Sequence, residues 1–292
     1  MNFQKILWAV DPDSLQSDIN PIVSSYLKEF AKHKGCEICP VSILNLGDIL
    51  FAVEYGAADL SSFKKKAQLD MKKILKKTDF DHLKGTLLTH HGTTMGDAAK
   101  TLLDHAKKIK ADVIVIGAKN LKGIDKFLMG SFAETIMFTS KIPLLMVKPD
   151  SPKAVNFKSV FYCAEFAGSY KKIFKRLLDI CRADSTKLTL FHYFGYGRKS
   201  KMPTNMKNLL SSVEENLHSM AKMGERTGVE VKISITHEEK DSITDAILEA
   251  AKKEKAQLIA IKGATDRLRT FFIGSTARKV LRKSRLPVLL LR

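Results

Sequence analysis

The chain writes the same ending twice. Gly130-Ser-Phe-Ala leads through Ser140-Lys-Ile-Pro143-Leu-Leu-Met-Val-Lys148, and Gly274-Ser-Thr-Ala leads through Ser284-Arg-Leu-Pro287-Val-Leu-Leu-Leu-Arg292. Gly, Ser, Ala, Ser, Pro and Leu recur in register, with equal spacing from Gly to Pro in both copies. Self-similarity of this length in 292 residues implies a duplicated domain. The Pro149-Asp-Ser-Pro152 stretch interrupts any regular element between the copies and divides the chain into residues 1–150 and 151–292. Whatever fold one half adopts, the other must share.

Each half alternates short apolar runs with longer helical patterns. In the first, strands are expected at 5–10, 38–44, 86–89, 113–117 and 144–147, and helices at 17–32, 57–77, 95–110 and 131–140. Phe63, Ala67, Met71, Ile74 and Leu75 share one face of the long second helix. In the second half, strands are expected at 159–164, 187–192, 230–236, 258–262 and 288–291, and helices at 169–182, 205–227, 242–255 and 275–284. Strands this continuously apolar suit a parallel sheet covered on both faces. The expected fold class is α/β: two Rossmann-like doubly wound domains, each with a five-stranded parallel sheet, related by a pseudo-two-fold axis. Ligands of such sheets sit beyond the carboxyl ends of the strands, where strand order reverses. In the first half that places Asp11, Val41 and the loop after Gly117 around one crevice.

Charge separates the halves. Residues 1–150 carry 21 Lys against 17 Asp and Glu, and residues 151–292 carry 28 Lys and Arg against 14, so most of the +18 balance lies in the second half. All ten arginines are there. A basic balance aids solubility and allows weak, non-specific attraction to nucleic acid. The amino-terminal apolar run is too short for a signal peptide, no segment suits a membrane span, and four cysteines make no disulfide framework. The expected location is cytoplasmic.

The loop from Gly117 to Gly130-Ser131 is the strongest candidate for chemistry. A glycine after a strand permits close approach of a ligand. The first N–H groups of a helix have no internal partners, and its dipole favours negative charge, so Ser131 opens either an anion cradle or an ordinary capped helix.

With Ile6-Leu-Trp-Ala-Val-Asp11, Gly117-x-x-Asn120-x9-Gly130-Ser131 and Ile142-Pro143, both halves of the sequence resemble the universal stress proteins as a tandem member. The resemblance implies a fold akin to the adenine nucleotide alpha hydrolases and an adenine-nucleotide site (ATP or AMP) in the first half. Asp11 would meet the sugar or base edge. Ala9, Val41 and Ile116 would line the adenine slot, and Gly117, Asn120, Gly130, Ser131 and Phe132 would cradle phosphate. Asn120 departs from the family's second glycine, although Asn tolerates a left-handed backbone better than other side chains do. The motif carries no information on an accompanying Mg²⁺. The resemblance further implies a stress-response regulator that binds rather than turns over nucleotide, with slow ATP hydrolysis within the family's repertoire. Regulatory protein partners are expected. The terminal strands of the two domains are expected to meet edge to edge as an intramolecular pseudo-dimer, with a further homodimer open.

The second half departs further. Glu165 stands opposite Asp11, Asp266 replaces the second glycine, and the loop to Gly274 is shorter. The expectation is a degenerate nucleotide site; the competing reading is a different anion held by Gly263, Arg267, Arg269, Gly274, Ser275 and Thr276. Arg278, Lys279, Arg282, Lys283 and Arg285 form a basic strip on or beside the last helix, read as a solvated face or a weak nucleic-acid contact. Neither a Walker motif nor a dinucleotide fingerprint is present. The Cys36-Glu-Ile-Cys39 pair leads into a strand rather than a helix, so it is expected to be buried and inert. His82, His90, His91 and His105 lack a metal-ligand pattern and are read as structural or solvent-facing. The lysine run from Lys64 to Lys77 is read as a solvated helix face. A scaffold that binds proteins or other anions through its crevices, without nucleotide, is the alternative function.

Overall fold

The computed structural model describes residues 1–10, 19–45, 59–90, 94–118, 131–153, 156–182, 185–195, 203–237, 242–263 and 274–292. The chain divides into an N-terminal unit, Phe3–Val155, and a C-terminal unit, Asn156–Arg292 with Met1–Asn2. The extreme amino terminus is held in the latter by Asn2 N–H donating to the Ile180 carbonyl at 2.8 Å.

The N-terminal unit runs β1 (Lys5–Ala9), α1 (Ile19–Ala31), β2 (Glu37–Asn45), α2 (Leu60–Lys77), β3 (Thr86–His90), α3 (Met95–Lys108), β4 (Val113–Gly117), α4 (Ser131–Thr139) and β5 (Leu144–Val147). The C-terminal unit repeats this as β6 (Ser159–Cys163), α5 (Tyr170–Cys181), β7 (Lys187–Tyr193), α6 (Thr204–Arg226), β8 (Val231–Thr236), α7 (Ile243–Lys253), β9 (Leu258–Lys262), α8 (Ser275–Lys283) and β10 (Val288–Leu291). Within the units the strand orders are β3-β2-β1-β4-β5 and β8-β7-β6-β9-β10. Every pairing inside each unit is parallel. The expected α/β class with helices on both faces of a parallel sheet is what forms.

Helix boundaries follow local chemistry. Asp59 caps α2 by accepting from Ser62 N–H at 2.8 Å. Thr94 and Asp97 form a reciprocal capping box at the start of α3. That helix ends at Lys108, two residues before the expected stop, because Lys110 turns left-handed (φ 57°) and Ala111 N–H returns to the Ala106 carbonyl. Ala67, Met71, Ile74 and Leu75 form the buried stripe of α2, with Phe63 half-buried beside it.

The duplicated ending has a structural cause. Ser140 Oγ–H donates to the Ile142 carbonyl at 2.7 Å, and Ser284 Oγ–H to the Leu286 carbonyl at 2.9 Å. Each serine is buried and fixes the turn from a short helix into Pro and the last strand. A second device is also repeated. The Asp112 carboxylate accepts from Gln4 and Lys5 N–H at 2.9 Å, and the Gln257 amide oxygen accepts from Lys158 and Ser159 N–H at 2.8 and 3.3 Å. Both tie the start of a unit's first strand to its fourth.

The two sheet faces can be told apart. Trp8 pairs with Val115, so its side chain shares a face with Gly117, two residues on. Ile19 and Val23 of α1 pack over Gly117, and Phe80, just after α2, meets Trp8 edge-on at 5.9 Å. Right-handed crossovers therefore put α1 and α2 on this face and α3 and α4 on the other.

Candidate functional site

Strand order reverses at β1, which lies between β2 and β4. Ala9, the last residue of β1, pairs with Val41 on one side and Ile116 on the other. These three side chains lie abreast on the face covered by α3 and α4. Val41 and Ile116 are buried, whereas Ala9 is half-buried, so the smallest of the three floors the accessible position. Val10 N–H donates to the Val41 carbonyl at 2.8 Å and keeps β1 and β2 joined to the rim. Three expected slot residues are thus brought together.

Gly117 has a packing role beside the one expected. Its φ is not left-handed, and a Cβ there would lie 2.4 Å from Ile19 Cγ1 and 3.1 Å from Val23 Cγ2. The missing side chain admits α1 onto β4, on the face opposite the Ala9 slot. Close approach is the reason for the glycine, and the approaching body is a helix of the protein itself. Phe132 is half-buried in the first turn of α4, which Ser131 opens. Asp11, Asn120 and Gly130 lie outside the described residues, as do His91, Asp266, Arg267 and Arg269.

The C-terminal unit can be superimposed strand by strand. Leu144 pairs with Ile114 and Val288 with Ile259, so β4 and β9 correspond residue by residue from their partners. Gly117 N-terminal to Ala118 then matches Lys262 N-terminal to Gly263, since Ala118 and Gly263 N–H donate to the last residues of β5 and β10, Val147 and Leu291. Placing Asp266 opposite Asn120, as the sequence suggests, sets Gly263 against Gly117; the register moves it by one. Gly263 lies against the Arg292 guanidinium, with a Cβ only 2.5 Å from an Nη. Glu165 matches Asp11 as expected and is exposed. Gly274 precedes α8 with φ −52° and open space where a Cβ would stand; Ser275 is exposed and Thr276 half-buried.

The slot triplet Ala9, Val41 and Ile116 becomes Cys163, Phe191 and Ile261 in the C-terminal unit. All three are buried. The Phe191 ring packs on Phe161 at 5.0 Å between centroids. On the opposite face of the sheet, Lys262 at the end of β9 donates from its ammonium to the Ala167 carbonyl at 2.5 Å. Sequence reasoning passed over Phe191 and Lys262. The signal available was the aromatic content of Phe191-His-Tyr-Phe194, against Val41-Ser-Ile-Leu44 in the first half.

The remaining candidates resolve into structural roles. Cys36 and Cys39 are half-buried rather than buried. Burial raises the Cys36 thiol, and burial with a hydrogen bond to Glu37 pushes Cys39 up to about 11. A thiolate nucleophile needs the opposite shift. Cys163 and Cys181 are buried, and burial raises both thiols. His90 is buried at the end of β3, and its Nδ1 has no hydrogen-bond partner among the described residues. Among those residues no group of three or more His, Cys, Asp or Glu side chains is gathered to hold a metal. Lys65, Lys66, Lys72, Lys73, Lys76 and Lys77 are exposed along α2, while Lys64 is half-buried. In the basic strip Lys283 is neutralised by Asp245 at 2.9 Å. At the amino end of β3 a groove of about 550 Å³ opens over Met71, Leu75, Leu83 and Leu87, far from the strand ends that form the slot. No described helix is long and apolar enough to cross a membrane.

Comparison with known proteins places these features in context. The family model described as the universal stress protein family matches residues 2–148 and again 156–292. Universal stress protein MJ0531 of Methanocaldococcus jannaschii is 26% identical over 134 residues, 45% of this chain and 76% of that protein. A universal stress protein structure from Archaeoglobus fulgidus aligns with a TM-score of 0.70 at 21% identity, covering 98% of this chain and 97% of the other. A structure described as a putative universal stress protein from Pseudomonas aeruginosa aligns at 0.63 and 14% identity, covering 99% and 93%. At such identities the structural likeness speaks for the fold.

Proposed function

The chain belongs to the universal stress protein family over both of its halves, and on that footing we propose that it is a stress-response regulator taking an adenine nucleotide, ATP or AMP, in the N-terminal unit. The observation that supports this reading most is the juxtaposition of Ala9, Val41 and Ile116 at the point where strand order reverses. An apolar floor of that size suits a purine ring, and the carboxyl rim of a parallel sheet is where such ligands are held.

In this reading Asp11, two residues beyond β1, accepts hydrogen bonds from the nucleotide's sugar or base edge. Backbone N–H groups at the start of α4, with the Ser131 hydroxyl and the Gly117–Asn120 segment, receive phosphate. Phe132 and Gly130 complete the cradle. The chain acts through binding: no general base is positioned by any motif, so occupancy, rather than product, is the signal passed to regulatory protein partners.

Native mass spectrometry of gently purified protein, followed by calorimetric titration with ATP and AMP, tests the reading. One nucleotide per chain is expected, abolished by Gly130→Glu and unaffected by Gly274→Glu. Equal losses from both substitutions would move the site, and no heat with either ligand would leave the interaction scaffold as the function.

A further inference from the structure

We propose that the C-terminal unit shuts its own crevice with Phe191 and Lys262, which confines the ligand to one site per chain; this rests on the nucleotide reading of the N-terminal unit. Two independent observations carry it. The first is steric. Strand register puts Phe191 where the other unit has Val41, and Cys163 where it has Ala9. The half-buried alanine floor is replaced by a cysteine and a ring that are both buried, the ring packed on Phe161. The room a planar base would need is filled from within, as a close-packed interior requires.

The second is electrostatic and concerns the mouth. Lys262 ends β9 at the position of Gly117, and its ammonium crosses the switch point to the Ala167 carbonyl, in the loop between β6 and α5. In the N-terminal unit the equivalent position has no side chain, and α1 packs down in its place. The stem leaves on the α5 face, opposite the Phe191 side, and its charge-assisted hydrogen bond ties the end of β9 to the loop after β6 across the switch point. Filling at the floor and strapping at the mouth are separate changes with one result.

The test removes both. Phe191→Val with Lys262→Gly is expected to raise bound ATP from one to two per chain by native mass spectrometry, and in a Gly130→Glu background to restore one. If the double variant still binds one while the wild type binds one, the proposal is overturned. If the wild type binds none, the nucleotide reading of the N-terminal unit falls; the double variant gaining one would then still uphold the closure, and gaining none would sink it too. Lys262→Met guards against a core too weakened to fold, because it keeps the stem and deletes the donor. The carbonyl ¹³C shift of Ala167 and the amide ¹⁵N shift of Gly168, which report on that carbonyl's hydrogen bond, should then move while the Phe191 resonances stay; unchanged shifts would refute the strap. ATP bound by the wild-type C-terminal unit and released in Lys262→Met would make the lysine an anion ligand and overturn closure.

Discussion

Glycine 117 shows how one missing methyl organises this fold. The ideal Cβ would sit 2.4 Å from Ile19 Cγ1, inside any real contact distance, and Ile19 is itself buried. Relief requires either a rotamer change in a packed interface or retreat of α1 from β4. Gly117→Ala should therefore cost about 1–3 kcal/mol, the usual range for overpacking, read as a lower midpoint in urea with an unchanged slope. A midpoint equal to wild type would mean that α1 yields freely and that the glycine serves something else. Gly274 makes the contrast, since a Cβ there would meet open space. A glycine that ends a strand and one that precedes a helix thus differ in what surrounds them.

At the scale of elements, capping decides where helices start. The α3 terminus satisfies its leading N–H groups with Thr94 Oγ1, which accepts from Asp97 N–H at 3.2 Å, while the Asp97 carboxylate accepts from Thr94. That arrangement holds the Asp97 carboxyl below its usual range, chiefly through the Thr94 hydroxyl. Thr94→Ala should destabilise the protein by about 1 kcal/mol, measured by chemical denaturation. Thr94→Ser, which keeps the oxygen, should recover most of the loss; failure of the serine to do so would assign the effect to packing. The C-terminal unit uses the same logic with Ser242, whose hydroxyl accepts from Thr244 N–H at 3.2 Å. The apolar stripe of α2 was readable from a short window of sequence, whereas the Thr94–Asp97 capping box and the left-handed Lys110 emerged only in the structure. Two helix ends that moved by two residues, Lys108 for the expected 110 and Lys253 for the expected 255, did so where a lysine, Lys110 or Lys255, adopts positive φ.

For the whole molecule, acid sensitivity follows from histidines that resist protonation. Burial, then the charge of Lys108, lowers His105 below the usual histidine value, and burial chiefly lowers His33. Below about pH 6.5 the unfolded chain takes up protons that the folded chain refuses. Stability is therefore full above that pH and is lost as pH falls through the lowered folded values. Thermal midpoints should drop between pH 7 and pH 5, and His105→Gln should flatten part of that drop; an equal slope in the variant would remove His105 as a contributor. The groups are only partly buried, so the effect is modest.

Resemblance to a known family named the three residues of the apolar slot; the amino-acid sequence alone determined the duplication, the alternation of strand and helix and the parallel α/β class. Those follow from periodicity, turn chemistry and the position of a residue at the end of a strand, all of which act over a few neighbours. Tertiary structure alone decided that Gly117 makes room for α1, that Lys262 rather than Gly263 occupies the matching place, and that a buried Phe191 stands where the first unit has Val41. These depend on register between strands and helices whose residues lie far apart in the chain, as with Lys262 and Ala167, 95 positions apart. Sequence spacing cannot carry that information, because which side chain fills a void is set by close packing among distant segments.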